Sequence, residues 1–187
     1  MGESTVEIGA HYFTDVLGLK DHFKEKHLRK YGLRLFFGKV QNDYSDYDEL
    51  GVSELFGIPA CQIERGTLEN YLYSMLKEKG VVFLDGAVPQ DIELGDKNHT
   101  VVCRRGDDTI TVQGRWLVDA AGRQALLRNK LNLQTETGHQ GNAVFFRINK
   151  RVIIDEWSDN EAWQNRVLEP GTRWLSPNHL MGPGYWV

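Results

Sequence analysis

The chain has 187 residues, 41% of them hydrophobic, enough to bury a core in one domain or one domain plus the start of another. Its 22 basic and 26 acidic residues leave a formal charge of -4, with no basic stripe interleaved with aromatics, which excludes nucleic acid as a partner. The opening MGESTVEIGAHYF lacks the regions of a signal peptide, no apolar run approaches the roughly 18 residues of a membrane span, and Cys61 and Cys103 form no CxxC pair. A cytoplasmic protein without a metal site is expected.

Ile8, Tyr12, Phe13, Val16 and Leu17 recur near one face, which predicts a helix over 8–17 that Gly18 ends. The charged run 21–30 reads as a second helix with a solvated face. From Tyr31 the alternation of Leu33, Leu35 and Phe37 with Arg34 and Phe36 turns the chain to extended structure, and QNDYSDYDEL follows as a loop. The clearest helix is 67–79, where Leu68, Tyr71, Leu72, Met75 and Leu76 share a face, with Thr67 as cap and Gly80 just past the end. Short strands follow at 81–85, 88–94, 99–105 and 109–113, the last two joined by a Gly-Asp-Asp turn. RWLVDA at 115–120 reads as a strand running into AAGR and a short helix at 124–131. From residue 142, NAVFFRI, RVIIDEW and TRWLS read as further strands. The expected class is α/β, with part of a nucleotide-binding domain over 1–139 and the start of an antiparallel, substrate-facing sheet over 140–187.

Hydrolytic and metal chemistries find no support. His22 and His27 are five apart, so a helix would turn them to different faces, and no GxSxG surrounds a serine. The segment Leu117-Val118-Asp119-Ala120-Ala121-Gly122-Arg123 is more informative. It delivers a carboxylate and a close-approach glycine from the end of an apolar strand into a tight turn, which suits a dinucleotide crevice and equally suits an ordinary strand-to-helix turn.

At Asp119 to Arg123 the chain resembles the FAD-dependent monooxygenase superfamily, in which such a turn lies beside the flavin's pyrophosphate and ribityl chain. Gly2-Glu3-Ser4-Thr5-Val6 is similar to the Gly-Glu-Ser-Thr segment of the flavin-dependent halogenases. Cys61 to Leu68 resembles their Gln-x-x-Arg-x-x-Phe/Leu motif, which brings Gln62 and Arg65 near the cofactor, and Asn178 to Val187 is similar to the segment leading into their Trp-x-Trp-x-Ile-Pro signature. Singly, each has an ordinary reading. Ser4 or Thr5 can cap a helix, and Arg65 can be a first-turn surface residue, although a cation there opposes the macrodipole and wants an anionic neighbour. Their common order carries the resemblance.

The resemblance implies FAD as cofactor, held by Gly2, Glu3, Ser4, Thr5, Gln62, Arg65, Asp119, Gly122 and Arg123. It implies a small organic substrate, electrons from a flavin reductase or NAD(P)H, and a flavin hydroperoxide that halogenates or oxygenates the substrate. It also places the halogenases' lysine, which lies between flavin and substrate, at Lys30. Within KEKHLRK, Lys30 reads as well as a solvated side chain. The fold implied is a Rossmann-like FAD-binding domain lacking its first βαβ unit and GxGxxG turn, so an incomplete piece is expected, one that does not bind FAD tightly alone. Pro89 departs from the relatives' adenine-binding strand because proline has no N–H to donate. The alternatives are a flavin-dependent reductase similar to the geranylgeranyl reductases, which needs no special lysine, and a truncated remnant without catalysis.

Overall fold

The computed structural model describes residues 2–39, 43–55 and 57–187. The chain forms two compact units, Met1–Glu78 with Arg147–Val187, and Lys79–Phe146. The units therefore cut across the expected boundary at 139/140, because the chain after Phe146 returns to the first unit.

In the first unit, β1 (Gly2–Ser4) leads into α1 (Glu7–His11), which continues into one π-helical turn, Tyr12–Val16. The turn is closed by Leu17 N–H donating to Tyr12 C=O at 2.9 Å, and Gly18, at φ +70°, ends the helix. α2 (Lys20–Lys26) is shorter than expected. His27 is already extended at φ -128° and ψ 158°, and Leu28–Lys30 forms β2 instead of a last helical turn. Pairing explains the difference. Leu28, Arg29 and Lys30 lie opposite Gln62, Cys61 and Ala60 of β5 (Ala60–Glu64), and ladder hydrogen bonds outweigh a weak local helix preference.

β5 is the centre of an antiparallel sheet ordered β1-β5-β2, with Gly2, Glu3 and Ser4 opposite Glu64, Ile63 and Gln62. α3 (Arg65–Glu78) follows β5 without a loop, so it starts two residues before the expected Thr67 cap. Its Leu68 joins Ala10, Leu19, Phe23, Cys61 and Ile63 in one core, which Phe13, Leu72 and Met75 flank.

A second sheet is assembled from distant sequence. β3 (Arg34–Phe37) lies antiparallel to β4 (Asp48–Gly51) and parallel to β9 (Asn178–Gly182), with β10 (Tyr185–Trp186) outside β9. The core on this sheet is Phe36, Tyr47, Ile154 and Trp163. The strands expected over RVIIDEW and TRWLS are not formed. Ile154–Trp157 and Arg173–Leu175 are single 3-10 turns, α5 (Glu161–Gln164) lies between them, and 142–148 has no ladder partner. Apolar residues in these stretches pack one at a time around buried charge rather than along a pleat.

The second unit holds an antiparallel meander, β6 (Val88–Leu94), β7 (His99–Arg105) and β8 (Asp108–Gly114), as expected. Gly106, at φ +62°, makes the tight β7–β8 turn. Pro89 sits on edge strand β6 where the register shifts between Pro89 and Asp91, a bulge that tolerates a missing N–H. The strands expected over 81–85 and 115–120 are not formed, and the following helix is α4 (Leu126–Lys130).

Candidate functional site

Thr5 is the joint of the site. Its N–H donates to Cys61 C=O at 2.8 Å, and Cys61 N–H donates to Thr5 Oγ1 at 2.8 Å. Thr5 C=O in turn accepts from Lys30 Nζ at 2.7 Å. Residues opposite one another on neighbouring strands share a face, so Ser4, Gln62, Ala60 and Lys30 lie on one side of the sheet. Ser4 Oγ donates to Gln62 Oε1 at 2.5 Å, leaving the Gln62 amide hydrogens available. A shallow cavity of about 210 Å3 at the Gly2, Leu28 and Glu64 end of this sheet reaches Gln62.

Arg65 stands at the start of α3, where its charge opposes the helix dipole. Two carboxylates compensate it, Glu3 at 3.3 Å and Glu69 at 2.6 Å, and these neighbours push the guanidinium still further from deprotonation, Glu69 contributing most. Sequence alone suggested a missing anion at this point; the structure supplies Glu3 and Glu69.

Lys30 is not the solvated side chain that KEKHLRK permits. It is 6% exposed, and among the described residues it forms no ion pair. Beside it lies His179, on β9, which sequence reasoning quoted only as part of a segment. His179 Nδ1 accepts from Trp186 Nε1 at 2.7 Å, so in the neutral ring the proton sits on Nε2, which is buried and without a hydrogen-bond partner. Burial holds His179 below the ordinary imidazole range, and the charge of Lys30 lowers it further. The charge of Lys30 is thus felt at His179, where β2 approaches the turn that leads into β9. Tyr31 fixes that approach, its N–H donating to Leu175 C=O at 3.0 Å and its carbonyl accepting from the Ser176 hydroxyl.

The Asp119 turn belongs to the second unit. Asp119 accepts from Ala121 N–H at 2.9 Å and Leu127 N–H at 2.8 Å, which holds its carboxyl below the usual range. Its charge organises the turn and the start of α4. Gly122 takes φ +61°, with open space where a Cβ would stand, and Arg123 beside it is exposed. The structure thus brings Gly2 to Thr5, Gln62, Arg65 and Lys30 together in one unit, and holds Asp119, Gly122 and Arg123 in the other. His22 and His27 correct the sequence reading. His27 leaves the helix, and the two rings lie 5.1 Å apart, His22 stacked on Tyr71 at 4.0 Å. No group of three or more His, Cys, Asp or Glu among the described residues could hold a metal, and no helix is long and apolar enough to cross a membrane.

Fold and site define a mixed α/β protein with largely antiparallel sheets, carrying a polar strip next to a buried amine. The chain is similar to two proteins described as flavin-dependent halogenases. Over its full length the chain is 24% identical, across 208 residues, to the flavin-dependent halogenase chlA of Dictyostelium discoideum. It spans about a third of that protein, 34%. The fold is shared with the crystal structure of CmlS, a flavin-dependent halogenase, at a TM-score of 0.54 and 19% identity over 69% of this chain and 24% of that one. No family model matches the sequence.

Proposed function

We propose that the chain carries part of an FAD-dependent oxidoreductase of the halogenase and monooxygenase type, acting on a small organic substrate. The observation that carries this reading is Lys30, a buried ammonium without a compensating carboxylate among the described residues. Burying an unpaired charge costs several kcal/mol, so packing alone gives no reason to keep it. A reaction that needs a fixed donor beside the substrate does. The geranylgeranyl-reductase-like alternative needs no such lysine, and the burial of Lys30 favours the halogenase reading over it.

The donor set suits FAD. The Gln62 amide hydrogens and the Arg65 N–H groups that Glu3 and Glu69 leave over, next to the N-terminus of α3, can donate to a pyrophosphate, Ser4 Oγ can accept from a polyol chain, and Gly122 leaves the close approach that a cofactor needs. In this reading Gly2 to Thr5, Gln62 and Arg65 of the first unit and Asp119, Gly122 and Arg123 of the second are cofactor-binding residues. Asp119 serves by shaping the turn, since its own oxygens are already taken. Bound and reduced by a flavin reductase or NAD(P)H, the flavin supplies the two electrons that activate oxygen. The protein's share is placement and exclusion of water. Lys30 Nζ, anchored by Thr5 C=O, and the Nε2–H of His179 hold the electrophilic halogen or oxygen species against the substrate.

The test is turnover of the complete gene product with reduced FAD, oxygen, chloride or bromide and a panel of small aromatic substrates, read by mass spectrometry. Lys30→Ala is expected to abolish halogenation while flavin oxidation and peroxide release continue. Halogenation unchanged in that variant would remove the lysine from the chemistry.

A further inference from the structure

A separate cavity of about 380 Å3, within the size range of small-molecule sites, opens on the other side of the β1-β5-β2 sheet. Arg29 and Cys61 are cross-strand partners one residue away from Lys30 and Ala60, so they point away from the Lys30 strip. Ala10, Phe23 and Cys61, at 3%, 3% and 8% exposure, form the apolar floor, and Ile58, 68% exposed, makes an apolar lip. Burial pushes the Cys61 thiol up, so the floor carries no charge at neutral pH.

The rim has the opposite character. Lys20, Lys24 and Arg29 line it, and among the described residues none of the three forms an ion pair. Arg29 reaches only the Tyr31 hydroxyl, at 3.4 Å. Asp15 is the acid of this rim, and it is already engaged by the Thr14 hydroxyl at 2.6 Å and His11 Nδ1 at 3.1 Å, all three residues being placed by α1 and the π-helical turn that follows it. Such single π turns recur at functional sites. Three cations against the one carboxylate of Asp15, above an apolar floor, leave an excess of positive charge that matches a ligand with an apolar body and one anionic end. A wholly polar anion would leave the floor unused, and a wholly apolar molecule would leave the cations unused.

We infer that this cavity binds a small amphipathic carboxylate, its ring or short alkyl body against Ala10, Phe23 and Ile58 and its carboxylate among Lys20, Lys24 and Arg29. The site is independent of the flavin reading, because it lies on the far face of the sheet and shares no residue with the Lys30 strip. Calorimetric titration of the purified protein with indole-3-acetate, indole-3-ethanol and inorganic phosphate tests it. The acid is expected to bind at least about tenfold tighter than the alcohol or phosphate, a difference of about 1.4 kcal/mol. Added salt should weaken the acid's binding. Lys20→Gln with Lys24→Gln, both exposed and outside the core, should cost the acid about tenfold or more and leave the alcohol unchanged, and Ile58→Ser should weaken both. Equal binding of acid and alcohol, preference for phosphate, affinity unaltered by the double lysine variant, or no binding at millimolar acid overturns the proposal.

Discussion

The two units handle charge in different ways. In the first, Arg173 is fully buried. Its Nε meets Glu49 at 2.9 Å, its Nη1 meets Asp155 at 3.2 Å, its Nη2 donates to Trp163 C=O at 2.6 Å, and its Cζ lies 3.9 Å over the Trp163 ring. Arg34 closes the network on Glu49 and on the Val52 carbonyl. In the second unit no charged side chain is buried among the described residues, and its ion pair, Lys130 with Asp91, is a surface contact at 3.9 Å. There Ile92, Cys103 and Ala125 make up the buried apolar set, while Trp116, Val118 and Val144 stand largely in solvent. One unit is held by paired charge in a core spanning distant sequence, the other by neighbouring strands. Within the first unit the same contrast separates architecture from a site. Arg173 is buried and paired with carboxylates; Lys30 is buried and, among the described residues, has no carboxylate partner.

The largest expected effect follows from Arg173. Arg173→Met leaves Asp155 without its cation and removes one of the three arginines on Glu49. Breaking a buried network by removing one partner costs about 3–5 kcal/mol. Hydrogen exchange should show the loss in the first unit's β3, β4 and β9, with β6–β8 protected as before. Equal loss in the meander would mean that the two units unfold as one.

Lys30→Met should behave in the opposite way. It removes a buried charge that has no carboxylate partner among the described residues, at the cost of its one hydrogen bond to Thr5 C=O, so the two terms oppose each other. Denaturant unfolding should shift by no more than about 1.5 kcal/mol in either direction. A loss as large as that from Arg173→Met would make Lys30 a structural residue and withdraw the main support for its proposed role.

The two units also differed in how far their sequence could be read. The meander was legible because each of its signals is local: alternation within β6, β7 and β8, and a glycine that can take φ +62° at the turn. α3 was legible for the same reason, since Leu68, Leu72 and Met75 repeat at helical spacing over the core. The parallel pairing of Arg34–Phe37 with Asn178–Met181 has no local signature, and neither does the selection of Glu49, Asp155 and Arg173 as interior charges. Only the fold supplies their partners. At the proposed site, the order of motifs singled out Gly2 to Thr5, Gln62 and Arg65, and sequence context singled out Lys30. His179 went unrecognised because its relation to Lys30 exists only once β9 lies against β3.

The smallest effect concerns acid. In the first unit, burial holds His22 and His27 below the ordinary imidazole range; His22 also feels Lys26 against a weaker opposing pull from Glu25, and His27 feels His22 against Glu64. A histidine whose folded pKa lies below its unfolded value of about 6.5 leaves the unfolded chain binding more protons between those two values. Stability of the first unit is therefore full above about pH 6.5 and falls as the pH drops through that window. In the second unit Asp119 is the group with a displaced pKa, held low by the Ala121 and Leu127 N–H groups, so its contribution is present above about pH 3.9 and is lost only below it. Residue-resolved hydrogen exchange between about pH 7.5 and 5.5 should accordingly show α2 and β2 loosening while β6–β8 stay constant. His22→Gln with His27→Gln should flatten most of the first unit's response, leaving the part that His179 contributes. A slope that survives the double variant would place the acid sensitivity elsewhere, and a matching slope in the meander would erase the distinction between the two units.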